Sequence, residues 1–294
     1  VREHFRLTPG QLRGRRQAPV ENGLPLELQY RPPYDWAGVM GFFSRHAVAG
    51  VEEASPDGSQ RNVRINGKPA SFSVEHRPGN HALRVVLRLP DARQMLPVVG
   101  KIRRMFDLDA NPATIRSQLA RDPALAPLLA RFPGIRAPVA WSLFESSVRT
   151  IVGQQVSVAA ARGVCSRLAA ACATGDEPAT FPDAASLAAL GDQHFPMPTR
   201  RRDTLRKLAT DYSGREDSLD IASLAQYRGV GPWTVSLVAM RGVGDPDIFP
   251  TGDLGLDKAW AALTGPGEKP GHDRSCHWGP WRSYAANLLW RSLN

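Results

Sequence analysis

The run Ile248-Phe249-Pro250-Thr251-Gly252-Asp253-Leu254-Gly255-Leu256 sets a single carboxylate after a short apolar stretch and a turn. Leu256, Trp260 and Leu263 follow at helical spacing, so Asp253 falls at a helix N-terminus. The free N–H groups and the dipole of a first turn stabilise an anion there. Such an Asp most often only caps its helix. Its other use is to stabilise positive charge developing on a bound substrate. Asp257, one turn on, and Asp245 and Asp247, in loop sequence, are weaker candidates.

Upstream lies Leu224-Ala225-Gln226-Tyr227-Arg228-Gly229-Val230-Gly231-Pro232-Trp233-Thr234, two helical runs joined by a Gly-hydrophobic-Gly turn. Glycine lets a backbone turn sharply and approach a ligand. N–H groups around Gly229, Val230, Gly231 and Thr234 suit a phosphate, held without sequence readout. An ordinary αα-hairpin carries the same pattern.

The elements that must position these residues divide the chain. Leu24, Leu26, Leu28 and Tyr30 alternate as in a half-buried strand. Asp35 caps a helix with Trp36, Val39, Met40 and Phe43 on one face. Asn66-Gly67 predicts a hairpin, with Phe72 and Val74 on the return strand and Leu83, Val85 and Leu87 on the next. From about residue 91 the spacing turns helical, as in Phe144, Val148, Ile151 and Val152, and in Val164, Cys165 and Leu168 behind a Ser157 cap. The expected class is α+β: an N-terminal antiparallel β-sheet domain, then a mostly α-helical two-lobed region.

Lys and Arg number 37 against 28 acids, a net charge of +9, which favours a polyanionic partner. The spacing of Cys165, Cys172 and Cys276 fits neither a disulfide framework nor a metal motif, which points to a reducing compartment. No membrane span or signal peptide is expected, and the default location is the cytoplasm, at the nucleoid.

Together, the hairpin and the Gly-Asp pair resemble the helix-hairpin-helix, Gly/Pro-Asp superfamily of DNA glycosylases. Arg31-Pro32-Pro33-Tyr34-Asp35-Trp36, Gly41-Phe42, Phe106-Asp107-Leu108, Gly153-Gln154-Gln155-Val156-Ser157 and Pro280-Trp281-Arg282-Ser283-Tyr284 resemble its AlkA branch, the DNA-3-methyladenine glycosylases II, over roughly residues 22–294. The resemblance implies three parts: a sheet domain over 22–112, a central helical subdomain over 137–245, and a second helical subdomain from 113–136 plus 246–294.

It also implies base flipping from double-stranded DNA by a monomer, with hydrolysis of the bond to an alkylated, cationic purine such as 3-methyladenine. Asp253 matches the catalytic aspartate. Trp233, Trp281 and Phe42 match aromatic pocket positions, where an indole attracts a cationic base by about 0.5–2 kcal/mol. Leu237 and Leu254 stand where a family member has tyrosines. Gln155 matches the residue that wedges into the duplex. The carbonyls of Ala225, Tyr227 and Val230 match those holding a monovalent cation at the hairpin, and no other cofactor is expected. Bifunctional relatives carry Lys at the position of Trp233, so no lyase step is expected.

Residues 1–16 resemble the end of an AraC-type helix-turn-helix, and 1–21 is expected to be a remnant and linker of an Ada-type regulator fused upstream. Two rival readings remain: a binder of alkylated DNA, alone or within such a regulator, that cuts nothing, and an oxidised-base glycosylase of the same superfamily.

Overall fold

The computed structural model describes residues 23–293 except 174, 176, 266–269 and 271, so the regulator-like remnant over 1–21 lies outside the described residues. A five-stranded antiparallel sheet comes first, built from β1 (Leu24–Gln29), β2 (Glu52–Ser55), β3 (Gly58–Ile65), β4 (Lys68–Arg77) and β5 (Ala82–Arg88). The strand order is β1-β5-β4-β3-β2. Ile65 pairs with Lys68 across Asn66-Gly67, and both turn residues have positive φ (51° and 75°), as a tight two-residue hairpin requires. Strand β2 went unforeseen, because Glu52-Glu53-Ala54-Ser55 has no apolar alternation and sits at the sheet edge.

One face of the sheet buries Leu26, Leu28, Val63, Phe72, Val74, Leu83, Val85 and Leu87. They pack on α1 (Trp36–His46) and α2 (Met95–Met105) in a first core. Asp35 caps α1 as expected, accepting from the Gly38 N–H at 2.8 Å, and also pairs with Arg291.

Short helices α3 (Pro112–Leu119) and α4 (Ala126–Arg131) then lead to the central α5 (Leu143–Gly153), capped by Ser142. A second core joins α5 to α6 (Val158–Cys172), α7 (Ala184–Ala189) and α8 (Thr199–Tyr212). Ser157 caps α6, accepting from the Ala160 N–H at 3.2 Å.

The hairpin follows. Its first arm is a 3-10 turn, Ala222–Gln226, where an α-helix was expected. Its second arm is α9 (Pro232–Val238), which passes into a π turn, Ala239–Val243. Gly242 lets that turn press on α5; an added Cβ there would meet Leu143 Cδ1 at 2.6 Å. A third core gathers α3, α4, α10 (Leu254–Thr264) and α12 (Arg282–Ser292), with the short α11 (His272–Cys276) between the last two.

A buried ion network ties the sheet to α5. Arg61 on β3 pairs with Glu52 on β2 and with Glu145 on α5 (2.5 Å). Arg149 bonds Glu145 at 2.8 Å and Glu52 at 2.5 Å, and donates to the His46 carbonyl.

Candidate active site

Asp253 is the N-cap of α10: Oδ1 accepts from the Leu256 N–H at 3.0 Å. It is also more than a cap. Two indoles converge on it, Trp233 Nε1 donating to Oδ2 and Trp290 Nε1 to Oδ1, each at 3.1 Å. Asp253 and both tryptophans are half-buried. The carboxylate is thus oriented from three elements, α9, α10 and α12, and remains partly open to solvent.

Trp281, expected in the pocket, is not among the indoles bonded to Asp253. Trp281 precedes α12 and packs edge-on to Tyr284 at 5.7 Å. With Pro280 it lines an open depression of about 480 Å³ against α3 residues Ala113, Thr114, Ser117 and Gln118. Trp290 lies nine residues further on, within the last turn of α12. Only the latter meets the carboxylate of Asp253. Trp290 went unread because it sits in an apolar run, Leu288-Leu289-Trp290, that reads as ordinary core.

Phe42 lies off the buried face of α1, tilted against His46 at 4.4 Å. The guanidinium of Arg241 stands over Phe42 at 4.4 Å and over Trp290 at 5.1 Å. Arg241 was not foreseen either; nothing in Met240-Arg241-Gly242 distinguishes it from a surface arginine. Leu237 is half-buried and packs on the third core. Leu254, beside Asp253, is 82% exposed and forms no enclosed wall.

Burial pushes the His46 imidazole down to about 4; the Phe42 carbonyl opposes this, and Arg241, Arg149 and Arg45 add to it. That carbonyl accepts from Nδ1 at 2.8 Å, so the proton of the neutral ring sits there. An unfolded histidine ionises near 6.5. The neutral ring therefore supports the fold above that pH, and the support is lost as pH falls from about 6.5 to about 4. By NMR, the His46 ring should titrate with a midpoint near 4; a midpoint near 6.5 would show the site open to water.

At the hairpin, Gly229 has φ +83°, the left-handed region glycine favours, and its Cβ direction is open. Val230 is buried and closes the turn, its N–H donating to the Tyr227 carbonyl at 3.0 Å. Gly231 caps α9, Pro232 occupies its first turn, and Thr234 is buried. Gln154 braces the hairpin, its Nε2 donating to the Gly229 carbonyl and to Thr234 Oγ1, both at 2.9 Å. Gln155, next to it, is exposed with φ +57°, and Val156 is 43% exposed. The two glutamines thus differ in placement: the first is tied to the hairpin, the second is exposed. Tyr227 is held by its hydroxyl on Asp211, and Thr204 Oγ1 donates to the Arg228 carbonyl.

The fold is that of the helix-hairpin-helix DNA glycosylases. It aligns with the 3-methyladenine DNA-glycosylase of Archaeoglobus fulgidus at TM-score 0.78 and 19% identity, over 90% of this chain and 96% of that one. An 8-oxoguanine glycosylase/lyase of Clostridium acetobutylicum aligns at 0.66 and 17%, over 91% and 95%. Residues 25–142 match the AlkA N-terminal domain family. The chain is 34% identical, over 97% of its length, to the probable bifunctional transcriptional activator/DNA repair enzyme AlkA of Mycobacterium tuberculosis, and it spans 62% of that protein. It is 29% identical to DNA-3-methyladenine glycosylase 2 of Escherichia coli, over 90% of this chain and 95% of that one. These matches bear out the AlkA resemblance carried by the separated motifs.

Proposed function

We propose that this chain is a monofunctional DNA glycosylase that removes alkylated purines such as 3-methyladenine from double-stranded DNA. The observation that carries the reading is Asp253, fixed between two indole N–H groups and a helix N-terminus, yet left half-open. A plain cap needs only the helix; a binder that cuts nothing has no use for a carboxylate so closely oriented.

The base must leave the stack to be reached. As the glycosidic bond breaks, the electron pair goes to the base and the sugar becomes cationic. The Asp253 carboxylate stabilises that charge, and water adds to the sugar and loses a proton. Trp233 supplies no amine, so the product is an abasic site and not a Schiff base. The N–H groups about Gly229, Val230, Gly231 and Thr234 hold a phosphate, and Gln155 fills the gap left by the flipped base. The carbonyls of Ala225, Tyr227 and Val230 would hold a hard monovalent cation there; the Tyr227 oxygen keeps a second lone pair after accepting from Val230.

The three cores support a division into a sheet domain and two helical subdomains, with the Asp253 site where α9, α10 and α12 meet. Among the described residues no helix is long and apolar enough to cross a membrane. A monomer acting at the nucleoid, downstream of an Ada-type regulatory segment, completes the proposal.

Incubation with methylated duplex DNA should release 3-methyladenine and leave alkali-labile sites; no release by the intact protein would favour the binder. Trp290→Phe removes one bond to Asp253 and should slow release about tenfold, the weight of one hydrogen bond to a charged group. Trp281→Ala should change it less than about threefold, as a half-buried side chain outside the site. Single-turnover release from both variants checks this, and the reverse order would restore Trp281 to the pocket.

A further inference from the structure

Arg241 is fixed in the π turn that follows α9. Its guanidinium donates to the Pro138 carbonyl and to Asn287 Oδ1, both at 2.8 Å. From there it faces the rings of Phe42 and Trp290, and Trp290 bonds Asp253. Desolvation and the nearby Arg45 lower its pKa to about 9, against the pull of Asp253, which leaves it charged at neutral pH.

An aromatic face attracts a cation because its quadrupole is negative there. At Phe42 and Trp290 the protein itself already satisfies that attraction. A positively charged base laid on either ring meets the charge of Arg241 across it. A neutral base keeps its stacking and meets no such opposition. Resting on the glycosylase reading above, we infer that Arg241 sets the charge selectivity of the Asp253 site: it cancels the binding preference for cationic bases and admits neutral damaged purines. Alkylated bases then keep an advantage only as better leaving groups, since their positive charge takes up the electron pair of the broken bond.

The test uses duplexes carrying one 7-methylguanine, cationic at mildly acid pH, or one hypoxanthine, which is neutral. Single-turnover release is compared for wild type, Arg241→Met and Arg241→Lys, with melting curves to check folding. Arg241→Met should raise the ratio of 7-methylguanine to hypoxanthine release by about tenfold, and Arg241→Lys should keep it within about twofold. An unchanged ratio in a folded, active Arg241→Met overturns the inference.

If that variant does not fold, wild type decides by competition between the 1,9-dimethyladeninium cation and neutral 9-methyladenine. Inhibition equal within about twofold supports the inference, and a cation binding about tenfold tighter overturns it. Release of neither lesion by wild type would instead strike the glycosylase reading, so the two failures are told apart.

Discussion

Asp253→Asn is expected to lower single-turnover base release by about a thousandfold, the scale of losing one oriented charge-stabilising group. The substitution is nearly isosteric and Asn is itself a good N-cap, so α10 should still start at Leu254. The loss falls on the site alone. The carboxylate accepts from Trp233 on one oxygen and from Trp290 and Leu256 on the other. An amide has only one acceptor oxygen, so whichever way it turns, an N–H₂ faces an indole N–H. The charge is gone as well. Base release measured beside circular dichroism and melting separates the chemical loss from a folding defect. Retained turnover would overturn the role of Asp253.

The second large effect concerns stability. Glu145→Gln should destabilise the protein by about 3–5 kcal/mol, because it leaves the buried Arg61 and the half-buried Arg149 with part of their countercharge removed. Replacing Glu177, whose pair with Arg64 is surface-exposed, should cost less than about 1 kcal/mol. Chemical denaturation of both variants checks the contrast. Equal costs would mean that the network joining β2 and β3 to α5 is no better sheltered from water than the surface pair.

Much of the local structure was legible. Strand β1 and the hairpin at Asn66-Gly67 followed from period-two spacing and turn chemistry, which act over a few residues. The caps at Asp35, Ser157 and Asp253 followed from side chains that reach only their own first turn. Strand β2 did not, because an edge strand with exposed side chains need not alternate. The first arm of the hairpin kept its position but tightened to a 3-10 turn, a choice made by packing around Leu224 and Tyr227 and not by helix propensity.

At the site, the motif order pointed to Asp253 and Trp233, and the structure joins them by a hydrogen bond. The sequence holds three tryptophans near the C-terminus, Trp278, Trp281 and Trp290, and the motif match pointed to Trp281 alone. Which one faces Asp253 depends on how α12 is rotated against α10, a matter of the third core. Likewise, Gln154 and Gln155 are neighbours of one type, and only the fold turns one inward to the hairpin and leaves the other exposed.

By itself, the amino-acid sequence determined the kind of fold, the Gly-rich hairpin and the single carboxylate twenty residues beyond Trp233, because each is written in contiguous residues. Only the tertiary structure decided that Trp290 and not Trp281 meets that carboxylate, and that Arg241 stands over Phe42 and Trp290. Those contacts join residues about forty to two hundred positions apart, and their geometry is set by how whole helices pack, which no short stretch of chain encodes.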